Sequence, residues 1–98
     1  MKLLTKELEQ KFAKTGSQET SKEPIVIAKF FNPMGAGTWL ATEYFPETKT
    51  FFGSVTLGYE WELGYFSLEE LEEVQLPFGM KIERDLYFGE KKLSELTA

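Results

Sequence analysis

Three carboxylates and one arginine carry most of the chemistry this chain could offer. Glu43 stands in "TWLATEYF", and Glu83, Arg84 and Asp85 are consecutive in "IERDLYF". Two carboxylates about 5 to 10 Å apart in a cleft are the minimum geometry for acid/base work of the glycosidase type. An arginine flanked by two acids is either held in a structural salt bridge or presented for recognition, and the salt bridge is the favoured reading. In an extended segment Ile82, Arg84, Leu86 and Phe88 share one face, and Glu83, Asp85 and Tyr87 the other. Arg84 then points with apolar neighbours. A further candidate is Gly35-Ala36-Gly37 in "NPMGAGTW". A phosphate cradle needs a helix N-terminus after its glycines. The segment after these glycines is aromatic and alternating instead, so they read as a turn between two strands.

Two absences narrow the chemistry further. The 98 residues contain no histidine and no cysteine. That removes disulfides, thiolate nucleophiles, histidine bases and the common zinc sites. No cofactor is indicated by the sequence. The net charge of −5, from 11 basic and 16 acidic residues, argues against binding to phosphate backbones, which needs a clustered basic surface. Mimicry of nucleic acid by acidic side chains is a further reading, but a charge of −5 is thin for it. Charge returns at Lys6 and Glu7 before a signal peptide's apolar run can build up. No stretch approaches the roughly 20 apolar residues of a membrane span. The expectation is a cytoplasmic protein without membrane contact.

The elements that must position these residues can be read from periodicity. Leu4, Leu8 and Phe12 form a narrow apolar stripe on a helix from Thr5 to Lys14, with Thr5 as N-cap and Gly16 as its stop. "TGSQETSKEP", Thr15 to Pro24, is polar, has no apolar anchor, and reads as a flexible surface loop. "IVIAKFF", Ile25 to Phe31, is apolar and β-branched, the pattern of a strand near the sheet centre. In the next strand, Thr38 to Phe45, simple alternation places Thr38, Leu40, Thr42 and Tyr44 on one face, and Trp39, Ala41, Glu43 and Phe45 on the other. Alternation from Phe51 to Tyr65 predicts a hairpin, with strands at about Thr50–Leu57 and Glu62–Phe66. "SLEELEEV" is a helix capped by Ser67, with Glu70 completing a capping box and Leu68, Leu71 and Val74 facing the core. Met80 to Phe88 is an extended segment, and "KKLSELTA" a short helical tail. The sum is a single α+β domain: a mainly antiparallel sheet of four to five strands built from hairpins, with helices against it.

Two clusters have plain structural readings. Glu69, Glu70, Glu72 and Glu73 avoid the apolar stripe of their helix, so they form a solvated face rather than a metal site. Trp39, Tyr44, Tyr59, Trp61 and Tyr65 lack the basic groove that a single-strand stacking platform needs. They serve packing, or anchor a protein partner.

Taken in order, "LLTKE", "KFFNP", "TWLATE", "ELGYFSLEELE" and "PFGMKIERDLYF" give a chain that resembles the small bacterial proteins of the domain of unknown function 2958 family. The resemblance covers all but the polar loop from Thr15 to Glu23. It implies a small single domain in a cytosolic bacterial setting, beside mobile-element or host-defence functions. It assigns no catalytic residue. The combined expectation is a protein-binding module, an accessory or anti-defence factor of a mobile element, using a mixed patch of Trp39, Glu43, Tyr65, Glu83, Arg84 and Asp85. The alternative is a carboxylate-based small-ligand binder or hydrolase using Glu43, Glu83 or Asp85.

Overall fold

The computed structural model describes residues 2–97. Helix α1 (Lys6–Thr15) is followed by β1 (Ile25–Val26), β2 (Ala28–Phe31), β3 (Thr38–Phe45), β4 (Thr50–Thr56), β5 (Glu62–Ser67) and α2 (Leu68–Glu73). After a 3-10 turn at Pro77–Gly79 come β6 (Glu83–Arg84), β7 (Lys91–Lys92) and the short α3 (Leu93–Thr97). Strands β5-β4-β3-β2-β6 form one antiparallel sheet, and β1 pairs with β7 in a separate two-stranded ribbon.

The local chemistry accounts for the helices. The Thr5 hydroxyl accepts from the Leu8 N–H at 3.2 Å, and Gly16, at φ 69°, closes α1 by donating to the Phe12 carbonyl. A left-handed C-terminal residue is where glycine is favoured. In α2 the Ser67 hydroxyl accepts from the Glu70 N–H at 3.2 Å, while Leu68 and Leu71 are buried and the four glutamates are exposed.

Both helices lie on one face of the sheet, and the core is there. Phe51 is its centre: its ring lies 4.9 Å from that of Tyr44, 5.2 Å from Phe30, 5.4 Å from Phe66 and 5.8 Å from Phe12. Leu3, Leu4, Ile27, Ala28, Ala41 and Ile82 join Leu68 and Leu71 of α2 in the buried cluster.

Several expectations from the sequence are corrected. The segment Ile25–Phe31 is not one strand but two, separated at Ile27, whose N–H donates to the Ala41 carbonyl. Its first half pairs with β7, and its second half lies between β3 and the edge strand β6. Strand β3 also carries a bulge. Ala41 pairs with Gly53 but Glu43 pairs with Phe52, so Thr42 is an extra residue. Inserting one residue moves all later side chains to the opposite face. Tyr44 therefore joins Trp39 and Ala41 on the helix-covered side, while Glu43 and Phe45 join Leu40 on the other. Of the expected extended stretch Met80–Phe88, only Glu83 and Arg84 pair as strand. In the tail, Lys91–Lys92 is strand and Leu93–Thr97 helix; Ala98 lies outside the described residues.

Candidate functional site

The bulge sets the geometry of the face away from the helices. Downstream of it, Glu43 on β3 is in register with Phe52 on β4, and Phe52 with Tyr65 on β5. These three side chains form a row across the sheet. The Phe52 and Tyr65 rings meet edge to face at 4.9 Å, and Phe45 approaches Tyr65 at 6.1 Å. Leu63, one pleat along from Tyr65, extends the apolar strip. Leu63 is 66% exposed, Tyr65 70% and Phe45 38%.

The loop before β1 covers the inner end of this row. Gln18 fixes it: its amide nitrogen donates to the carbonyls of Ile25 and Thr42, both at 2.8 Å, and its amide oxygen accepts from the Ile25 N–H at 2.6 Å. The Thr42 hydroxyl donates to the Phe52 carbonyl at 3.1 Å. Between this loop, Leu93 of α3 and the sheet lies a cleft of about 590 Å³, with Thr42, Glu43, Phe45, Phe52, Leu63 and Tyr65 on its sheet side.

A second cleft, of about 570 Å³, lies at the far end of the sheet, between the β2–β3 turn and the segment just after β6. Gly35, Ala36 and Gly37 line it as part of a hairpin turn: the Asn32 N–H donates to the Gly37 carbonyl at 2.9 Å, and the Asn32 side chain accepts from the Met34 N–H at 2.8 Å. The strand β3 begins directly after Gly37, so a strand and not a helix follows the turn. Glu83, Arg84 and Asp85 also line this cleft. Asp85 pairs with Lys29 at 3.9 Å and accepts from the Tyr87 N–H at 3.0 Å. Arg84 reaches back to the N-terminal segment, where its Nη1 donates to the carbonyls of Lys2 and Leu3. It thereby ties the β6 edge to the start of the chain.

The six residues singled out from the sequence thus fall in three places. Glu43 and Tyr65 share the first cleft, and Glu83, Arg84 and Asp85 share the second. Trp39 is half-buried on the helix side, packed against the core. Glu43 shares a cleft with neither Glu83 nor Asp85, so the carboxylates that could act as a pair are Glu83 and Asp85. Sequence reasoning missed Gln18, Phe45, Phe52 and Leu63. The first stood in a loop without apolar anchors; Phe45 reaches this face through the bulge, and Phe52 and Leu63 join it through the register of β4 with β5.

The family described as "Protein of unknown function (DUF2958)" matches residues 3–98. The chain belongs to that family. Comparison with curated proteins and with solved structures gives no match. The match spans both clefts of this DUF2958 chain and every segment that carried the resemblance. Among the described residues no helix is long and apolar enough to cross a membrane.

Proposed function

We propose that this protein is an interaction module whose working surface is the sheet face around Glu43, Phe52 and Tyr65. The observation that carries the proposal is the exposed strip of Phe45, Leu63 and Tyr65 at the mouth of the 590 Å³ cleft. Tyrosine and phenylalanine supply contact area at low entropic cost, and rings beside a cleft are the usual anchors of protein recognition. The occupant is a positively charged segment of another protein. With a net charge of −5 and Glu19 and Glu43 lining the cleft, the surface complements basic chains and disfavours acidic ones. The bacterial, cytoplasmic setting beside mobile elements, as an accessory or anti-defence factor, is part of the proposal and is supported by the family resemblance.

A photo-reactive residue placed at Tyr65, and separately at Tyr59, tests this in cells. Tyr59 is 94% exposed but does not line the cleft. The expected outcome is crosslinking from position 65 to a basic peptide segment, identified by mass spectrometry, with little from position 59. Equal labelling at both positions, or crosslinks from position 65 only to acidic segments, overturns the proposal.

A further inference from the structure

The Glu43 side chain is the one feature of the cleft that packing does not explain. The residue is only 9% exposed. Among the described residues, no hydrogen bond or ion pair engages its carboxylate. Among the described residues no buried side-chain oxygen or nitrogen is both sealed from solvent and unpartnered, so the carboxylate keeps a narrow access, which the cleft that Glu43 lines can supply. Covering an anion this far without a partner costs free energy that a cation in the cleft would return.

The neighbours specify what kind of cation. Phe52 lies beside Glu43 in the row, with Tyr65 beyond it and Phe45 against Tyr65. Aromatic walls accommodate the methylenes of a long side chain and attract a cationic head. A carboxylate at the inner end accepts its N–H groups in charge-assisted hydrogen bonds. A calcium ion asks for a shell of six to eight oxygens, carboxylates prominent among them. Among the described residues, no three acidic side chains gather to hold a metal.

We infer that the cleft is a pocket for a single organic cation, the ammonium of a lysine or the guanidinium of an arginine, with Glu43 as its counter-ion and Phe52 and Tyr65 as its walls. The inference rests on the proposed docking face and names the group that the docked segment inserts.

The test is an NMR titration of the full chain with the N-acetyl methylamides of lysine, arginine and norleucine. Norleucine has the stem without the charge. The expected result is that the lysine or arginine compound shifts the resonances of Glu43, Phe52 and Tyr65, and norleucine binds about tenfold more weakly or worse, in line with the loss of one charged hydrogen bond. Glu43→Gln should reduce cation affinity to the norleucine level, while Glu69→Gln, on the solvated face of α2, leaves it unchanged. Glu43→Asp, which keeps the charge but withdraws it by one methylene, should fall between, and serves if Glu43→Gln does not fold. Equal affinity for norleucine, or for lysine before and after Glu43→Gln, overturns the inference. So do shifts produced by magnesium chloride with the organic cations silent. Any of these results leaves the docking face to be judged by crosslinking from position 65, which does not depend on the charge of Glu43.

Discussion

The side-chain amide of Gln18 donates to the backbone carbonyl of Thr42 at 2.8 Å, the residue that the β3 bulge inserts. The same amide bonds both the N–H and the C=O of Ile25. Gln18 thus stands between β1 and β3 as a strand residue would, satisfying backbone groups that the bulge and the short β1 leave without a ladder partner. Replacing it with alanine should cost about 2 to 3 kcal/mol, since three bonds are lost and partly buried groups are left unpaired. Denaturant unfolding gives the cost, and hydrogen exchange at the Ile25 amide should accelerate. Unchanged exchange at Ile25 would show that Gln18 does not hold the loop.

Gly53 is fixed by the same bulge. A Cβ there would lie 1.8 Å from the Leu40 carbonyl oxygen, a backbone atom that cannot turn aside. Gly53→Ala should destabilise by more than about 2 kcal/mol, through displacement of β3 against β4. Gly35→Ala is the contrast: nothing lies within 4 Å of that Cβ, and the change should fall within about 0.5 kcal/mol of neutral. Similar melting temperatures for the two variants would contradict the close approach.

Phe51 is fully buried with four rings around it. Phe51→Ala should cost about 3 to 5 kcal/mol, the range for a buried aromatic that leaves a cavity. For a domain this small that amount is a large share of total stability. Thermal unfolding would show it, and a loss below about 1 kcal/mol would mean that the core collapses around the gap.

Tyr44 has its hydroxyl pKa raised, first by burial and then by the charges of Glu9 and Glu72. The folded chain holds this proton to higher pH than the unfolded chain does. Its contribution to stability is therefore complete below the unfolded pKa of about 10 and is lost as pH rises from there through the raised native value. Wild-type stability should fall over that alkaline window, and Tyr44→Phe should flatten the decline. Ultraviolet titration of the phenolates should show one tyrosine ionising late, and its disappearance in Tyr44→Phe assigns it.

Much of the fold was legible because local signals agreed with each other. Thr5 and Ser67 cap the helices that their spacing predicts, and the alternation from Phe51 to Tyr65 gives the β4–β5 hairpin. Strand β3 was legible in extent but not in facing. A bulge arises from the fit between two strands, and no residue of "TWLATEYF" announces it by itself. Only the glycine opposite, Gly53, carries a trace. The same limit hid the site. Glu43 and Tyr65 were singled out for their chemistry, but their meeting depends on Phe52 between them, and Phe45 reaches that face only through the inserted Thr42. Arg84 showed the other side of this: its flanking acids singled it out, whereas its bonds to Lys2 and Leu3 span nearly the whole chain.

The most direct measurement of the central claim pairs stability with contact in one variant. Tyr65→Lys alters an exposed side chain at the mouth of the cleft and sets a like charge against a basic segment, so the melting temperature should stay close to that of the wild type while docking is lost. Crosslinking from a photo-reactive residue at position 63 to a basic partner segment should be abolished. Retained crosslinking in the folded Tyr65→Lys protein would show that the partner does not use this face.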